Sequence, residues 1–258
     1  MESIKVKTIN DFVNAGEKPE ILFWVGSAGS FDERAKKITR AFVKILNKAN
    51  INFAVLGEQE SSSGDAAKRA GNEFLFQMQA LMNIEILNSY DITNIVTTCP
   101  HSYNTLKNEY SDLGGNYKVT HHTEFISDLI KHGKLNLTTD FNYKKITYHD
   151  PCYLGRGNDI YESPRDLIAN LNIDFVEMPR NKRKSFCCGA GGAQMFKEAE
   201  NGKFEINIIR TEEALKTGAD VIATGCPFCN TMMTDGVKNI SEGQAQVKDI
   251  AELIAECI

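Results

Sequence analysis

The segment VIATGCPFC, residues 221–229, contains a strand-length apolar run, a tight turn and the start of a helix. Val221 to Thr224 read as a strand, and a helix is predicted from about Pro227. The turn places Cys226 and Cys229 on one side of this strand-to-helix junction. Backbone N–H groups and the helix dipole at such a junction favour anionic sulfur. The segment therefore predicts a pair of thiolates suited to a metal at the carboxyl end of a strand.

This cysteine pair belongs to a larger pattern that occurs twice in the chain. In the second half the pattern consists of Cys152, Cys187-Cys188-Gly189 and Cys226-Pro227-Phe228-Cys229. In the first half it consists of Ser27, Ser62-Ser63-Gly64 and Cys99-Pro100-His101-Ser102. Both halves have 34 residues between the first element and the doublet, and the repeat period is 125 residues. The pattern indicates a duplicated ligand module in which one copy has lost four of five thiols, so we expect one metal centre.

Around these motifs, apolar runs of strand length alternate with longer helical patterns, which is typical of a parallel α/β sheet. We predict an α/β fold of two similar lobes, each with a small parallel sheet flanked by helices. Residues 1–135 form the predicted degenerate domain, residues 136–258 the intact one, and the polar stretch 134–144 the linker. Predicted strands are 21–26, 52–56, 95–98, 146–149, 175–178 and 221–224; predicted helices are 32–48, 65–87, 101–110, 164–171, 205–217 and one from 227.

The motif positions share one place on this plan. Ser27, Cys99, Cys152 and Cys226 each follow a predicted strand by one to a few residues. Open α/β sheets bind their ligands at the carboxyl ends of the strands. We therefore expect the metal centre at that edge of the sheet.

Composition and charge exclude some classes of function. The formal net charge is −5 and the pI is near 5.6, so the chain lacks the basic stripe that nucleic-acid binding requires. The N-terminal sequence does not resemble a signal peptide, and no apolar run is long enough to span a bilayer. We expect a cytoplasmic protein with no direct membrane insertion. Clustered cysteines in a reducing compartment indicate metal ligands or catalytic thiols more than disulfides.

The number and arrangement of thiols favour an iron–sulfur cluster over a single ion. Tetrahedral zinc uses four ligands and would leave one of the five cysteines idle. Adjacent Cys187 and Cys188 bind two metal ions of one cluster more easily than a single ion, and the glycine-rich loop 187–192 lets the backbone approach a bulky inorganic group. A four-cysteine zinc site, a thiol–disulfide exchange centre at Cys226 and Cys229, and buried unliganded cysteines remain alternatives.

The motifs also resemble a known family. The segments 149–156 (HDPCYLGR), 186–192 (FCCGAGG) and 224–229 (TGCPFC) resemble the CCG domains in the cysteine-rich subunit of heterodisulfide reductases. They are similar, too, to the iron–sulfur subunits of complexes that oxidise lactate, glycolate or glycerol-3-phosphate. Segments 26–32, 64–73 and 99–105 look like the family's N-terminal motif with serine in place of cysteine.

The resemblance implies a ligand set and a cofactor. It assigns one [4Fe-4S] cluster of the noncubane type to five cysteines, namely Cys152, Cys187, Cys188, Cys226 and Cys229. In other members a CCG motif holds zinc or an ordinary cubane. Because the first half carries serines, the two-cluster chemistry of a true heterodisulfide reductase is not expected.

Two functions remain open. The first is an electron-transfer subunit of an oxidoreductase complex, inactive alone, whose partner subunits carry flavin, ferredoxin-type clusters or a quinone site and hold it at the periphery of a membrane. The chain has no GxGxxG after its first strand and no CxxCxxCxxxC run, so such partners would supply the substrate chemistry. The second is a zinc-stabilised binding or scaffold protein without redox activity.

Several other residues have two interpretations. Cys99 either forms a residual site with His101 and Asp65 or is a semi-buried cysteine after a strand. His149 either donates a hydrogen bond to a cluster sulfur or caps the strand.

The remaining candidates concern charge and exposure. Arg156 either offsets cluster charge or forms a surface ion pair. The basic run 180–184 is either a solvated loop or a docking patch for an acidic electron carrier. His121 and His122 are expected to be exposed, and Cys257 is expected to be incidental.

Overall fold

The structure is a computed structural model that describes residues 4–138, 143–198, 201–240 and 243–258. In the first half of the chain the strands are β1 Lys7–Thr8, β2 Ile21–Trp24, β3 Phe53–Val55, β4 Asn94–Thr97 and β5 Lys118–His121. Its helices are α1 Ile9–Ala15, α2 Gly26–Phe31, α3 Glu33–Lys48, α4 Asp65–Arg69, α5 Glu73–Ser89, α6 Pro100–Asn104 and α7 His122–Lys131.

The second half has a shorter set of the same elements. Its strands are β6 Lys145–Tyr148, β7 Asp174–Phe175, β8 Val221–Thr224 and β9 Gln246–Asp249. Its helices are α8 Gly155–Asn158, α9 Glu162–Ala169, α10 Ile206–Leu215, α11 Pro227–Ile240 and α12 Ile250–Glu256.

Two parallel sheets confirm the predicted α/β fold. Within the described residues the first sheet has the order β1-β3-β2-β4-β5 and the second the order β7-β6-β8-β9. All pairings are parallel. The second sheet therefore repeats the order of the first without its outermost strand β1. The carboxyl ends of β2 and β4 in the first sheet, and of β6 and β8 in the second, lead into the serine and cysteine motifs.

Helices from both halves share a core between the two sheets. Helix α12 packs against α3 and α9, and α7 packs against α9. Buried Phe42 and Ile126 from the first half belong to the same apolar cluster as Ile146 and Ile250 from the second. This shared core fixes the two halves relative to each other. The division at 135/136 stays a prediction, and residues 139–142 of the expected linker lie outside the described residues.

The predicted single helix over 65–87 is two helices in the structure. α4 ends at Arg69, and Gly71 adopts a positive φ of 83° that a helix cannot continue through. Asn72 then caps α5, its side chain accepting a hydrogen bond from Leu75 N.

The expectation that His121 and His122 are exposed is wrong. Both side chains are fully buried, at the junction of β5 and α7. His122 Nε2 lies 2.9 Å from Oδ1 of Asp249, which ends β9 in the other half. Burial and the neighbouring His122 hold the pKa of His121 well below its usual value. The two histidines are buried only because the halves pack together, which their local sequence does not reveal.

No helix in the described part of the chain is long and apolar enough to cross a membrane.

Candidate metal centre

Five cysteines converge at the carboxyl edge of the second sheet. Cys152 lies in the turn after β6, the doublet Cys187-Cys188 lies in the loop between β7 and α10, and Cys226 and Cys229 flank the start of α11. The sulfur of Cys229 lies 3.3 Å from that of Cys188. Cys188, Cys226 and Cys229 are buried, whereas Cys152 and Cys187 are partly exposed. The structure thus brings together the five residues that the sequence proposes as ligands.

The conformation of the CCG loop depends on its glycine. Gly189 has a φ of 92°, which L-residues rarely adopt, and its N–H donates to Cys187 Sγ at 3.3 Å. A Cβ at this position would also lie 3.3 Å from Cβ of Ile206. Gly64 of the serine motif has a similar φ of 86°. The same left-handed turn therefore follows both doublets.

The loop before the doublet is held by two cationic side chains. Arg156 donates a hydrogen bond to the backbone carbonyl of Ser185. Its contact is therefore with this loop, whereas one of the two expectations was a surface ion pair. Arg180 lies over the ring of Phe186, 4.0 Å from its centroid, and forms an ion pair with Glu213. Both contacts restrain the chain just before Cys187.

Asp150 connects the Cys152 segment to the same loop. Its carboxylate accepts two hydrogen bonds from Arg165, at 2.8 and 3.0 Å, and one from the backbone N–H of Lys182 at 2.8 Å. The hydroxyl of Ser185 donates to the Asp150 carbonyl. The charge of the basic run 180–184 is partly neutralised by ion pairs of Lys182 with Glu162 and of Arg180 with Glu213. Asp150 and Arg165 were missed at the sequence level, because their role depends on contacts between distant segments.

Contacts among the thiols distribute charge unevenly. Hydrogen bonds from Cys152 and Cys188 hold the pKa of Cys187 far below its usual value, and the same contacts raise the pKa of Cys152 and Cys188. Burial opposes ionisation of Cys226, but a hydrogen bond from Cys229 and the charge of His101 outweigh it and lower the Cys226 pKa.

Thiolates this close repel one another, so all five ionise together only with cations among them. The donor set therefore fits a multivalent metal centre.

His149 and Arg210 lie beside the thiols. A ring nitrogen of His149 and the sulfurs of Cys188 and Cys229 all lie within 4.8 Å of one another. Arg210 is fully buried in α10, and its Nε donates to His149 Nδ1 at 3.0 Å. Burial, followed by the charge of Arg210, lowers the pKa of His149 to about 3. Arg210 was missed at the sequence level; its only signal is that it directly follows the apolar pair Ile208-Ile209 in α10.

The serine motif forms a cavity of about 70 Å³ that faces the CCG loop. All five of its motif positions line the cavity: Ser27, Ser62, Ser63, Cys99 and Ser102. The opposite wall consists of residues from the second half, among them Ala190, Gly192, Met195, Phe196 and Phe228. The degenerate copy therefore assembles like the intact one, and the two face each other across a small space.

The described residues of the first half do not assemble the residual metal site considered for Cys99, His101 and Asp65. His101 Nδ1 pairs with Asp65 Oδ2 at 2.9 Å, and Asp65 also accepts from Arg69. Among the described residues the only set of His, Cys, Asp and Glu with ligand atoms close enough for one ion is the His149 set above. Burial, with the neighbouring Cys226, raises the pKa of Cys99 to about 12, so this thiol stays protonated. Cys99 is thus a buried cysteine after a strand, as the alternative interpretation held.

The comparison with protein families follows this duplication. The family described as "CCG: Cysteine-rich domain" matches the chain twice, at residues 21–107 and 146–234. The protein belongs to this cysteine-rich domain family, which confirms the resemblance.

Three curated relatives extend this result. The chain is 44% identical, over 98% of its length, to the probable iron-sulfur-binding oxidoreductase FadF of Bacillus subtilis. It is 41% identical, over 95%, to the EtfAB:quinone oxidoreductase of Syntrophomonas wolfei. It is 32% identical, over 95%, to one subunit of the dihydromethanophenazine:CoB--CoM heterodisulfide reductase of Methanosarcina barkeri. These matches cover 36%, 35% and 61% of the respective relatives, so the chain corresponds to only part of each.

Proposed function

We propose that this chain is the iron–sulfur unit of an oxidoreductase complex and holds one [4Fe-4S] cluster through five cysteines. The observation that carries the proposal is the convergence of Cys152, Cys187, Cys188, Cys226 and Cys229 at one largely buried edge of the second sheet. A zinc site would use four of them, whereas the adjacent pair Cys187-Cys188 suits a cluster with several irons. The relatives' names, iron-sulfur-binding oxidoreductase among them, support the same cofactor class.

The chain's own residues prepare the site for anionic sulfur. Cys226 accepts hydrogen bonds from the backbone N–H groups of Phe228 and Cys229, at the start of α11, and Gly189 N–H serves Cys187 in the same way. These dipoles stabilise negative sulfur without adding a titrating group. A bound iron–sulfur cluster supplies one-electron chemistry, and burial of three of the cysteines keeps water away from its protein ligands.

We propose further that partner subunits or domains provide the flavin, ferredoxin-type cluster or quinone site. The curated relatives are longer than this chain, and one is named an EtfAB:quinone oxidoreductase. The outer face of α5 exposes five apolar side chains, Phe74, Leu75, Met78, Leu81 and Met82, an arrangement typical of a contact with another protein surface. A partner of this kind would also determine any association with a membrane.

Metal and sulfide analysis of protein purified without oxygen tests the cofactor. We expect about four irons and acid-labile sulfide per chain, with visible absorption from the cluster. Cys188→Ser should remove most of the iron and absorption, because Cys188 contacts Cys229 at the centre of the set.

The matched control is Cys257→Ser, since Cys257 is an equally buried thiol in the core between the sheets. Equal iron loss in both variants would contradict the ligand set, and one zinc without sulfide in the wild type would favour a zinc-stabilised scaffold.

A further inference from the structure

We propose that His149 is an N–H donor to the sulfur atoms of the metal centre and not a metal ligand, and that Arg210 is the positioning residue that imposes this role. The proposal deepens the proposed function and rests on a metal centre at the five cysteines. Its basis is the geometry around the imidazole, where proximity to two thiols would otherwise suggest ligation.

The backbone of His149 is fixed by the second sheet. Its N–H donates to the carbonyl of Ala223 at 2.9 Å, which continues the pairing of β6 with β8 beyond the last residue of β6. The side chain is 1% exposed. The ring therefore has little freedom to move away from Cys188 and Cys229.

Arg210 determines which nitrogen carries the proton. A guanidinium has only N–H donors and stays charged in proteins, so His149 Nδ1 must accept its hydrogen bond with a lone pair. The proton of the neutral ring is then on Nε2. Neither nitrogen retains a free lone pair, and direct ligation of a metal is blocked. What the ring still offers is the Nε2 N–H.

Arg210 is itself held firmly. Its Nη1 donates to the carbonyl of Arg180 at 2.9 Å and lies 3.0 Å from Glu213 Oε2, and Glu213 is bound in turn by Arg180. Rotating Arg210 away from His149 would leave a charged donor buried without a partner, which is costly. The tautomer of His149 is thus set by a rigid network that includes the chain just before the CCG loop.

The expected consequence is a higher reduction potential with an all-cysteine ligand set. A hydrogen bond to a sulfur ligand stabilises the reduced, more negative state of a cluster. His149→Phe keeps a ring of similar size and removes the N–H. We expect unchanged iron and sulfide content and a more negative potential in a redox titration. An unchanged potential, or the loss of iron, would overturn the proposal.

Labelling distinguishes donation from ligation in the wild-type protein. Pulsed electron paramagnetic resonance of protein containing 15N-histidine should show no nitrogen coupling as large as that of a directly bound imidazole. Such a coupling would overturn the proposal.

A zinc-only protein would contradict the proposed function and still test this inference. In that case, X-ray absorption spectroscopy at the zinc edge identifies the ligands of the zinc. Sulfur ligands alone would support the proposal, and a nitrogen ligand would refute it.

A double-mutant comparison tests the part played by Arg210. Arg210→Met should lower the reduction potential more in the wild-type background than in the His149→Phe background. In both backgrounds the substitution removes the charge of Arg210, but only the wild type has an imidazole whose tautomer Arg210 sets. Equal shifts in the two backgrounds would overturn the positioning role. If Arg210→Met does not fold, Arg210→Lys replaces it, since lysine keeps the charge and cannot reproduce the fixed Nε geometry.

Discussion

The buried pair of His122 and Asp249 predicts how strongly the two halves depend on each other. Both side chains are fully buried, and Oδ1 of Asp249 accepts from His122 Nε2 and from Ala251 N, each at 2.9 Å. Asp249→Ala removes the cap of α12, worth about 1 kcal/mol, and leaves the histidine donor unpaired, which costs about 1–3 kcal/mol. The expected loss is therefore about 2–4 kcal/mol of unfolding free energy.

Asp249→Asn separates the hydrogen bonds from the charge. Its amide oxygen can accept both hydrogen bonds at Oδ1, so we expect a loss of about 1 kcal/mol or less. The exposed Asp235→Ala is the surface control, with a change within about 0.5 kcal/mol. Urea unfolding followed by circular dichroism measures all three, and the Tm of Asp249→Ala should fall on the order of 10 °C. Equal losses for Asp249→Ala and Asp249→Asn, or less than 1 kcal/mol for the alanine variant, would refute the reasoning.

Three further predictions concern pH, the serine motif and partner encounter. Burial raises the pKa of Glu60 to about 7, although hydrogen bonds from the backbone N–H groups of Gly26 and Val25 oppose the shift. Between about pH 4.5 and 7 the folded state therefore binds more protons than the unfolded state, so the free energy of unfolding should fall as the pH rises through that window. The wild type should lose about 2 kcal/mol of unfolding free energy across this window, after allowing for solvent access, and Glu60→Gln should lose much less. Urea titrations at several pH values measure both, and a variant with the same pH profile as the wild type would contradict the prediction. Replacing the four serines of the serine motif by cysteine, so that they join the native Cys99, should raise the iron content above that of the wild type. If the wild type already contained enough iron for two clusters, the first half would not be degenerate. Replacing exposed Arg183 and Lys184 by Gln should slow the oxidation of the reduced cluster by an acidic partner and make the oxidation rate less dependent on salt. Stopped-flow measurements test this, and the same salt dependence in variant and wild type would argue against docking at these residues.

Much of the fold was predictable because its signals are local. Strand-length apolar runs such as 21–24 and 221–224 predict strands without knowledge of their neighbours. Strands β5 and β9 were missed because their sequences, KVTH and QVKD, contain little apolar pattern. They pair at the sheet edges, where polar residues are tolerated, and only the neighbouring strand makes them extended.

For the candidate site, the sequence by itself determined the duplication, the family and five thiols at matching spacing, since a motif after a parallel strand always reaches the same edge of the sheet. Only the tertiary structure decided that the serine cavity faces the CCG loop, that His121 and His122 are buried, and that Arg210 donates to His149. The contact between His122 and Asp249, for example, joins residues 127 positions apart. They exist because helices from both halves bury one apolar core between the sheets, which no local pattern encodes.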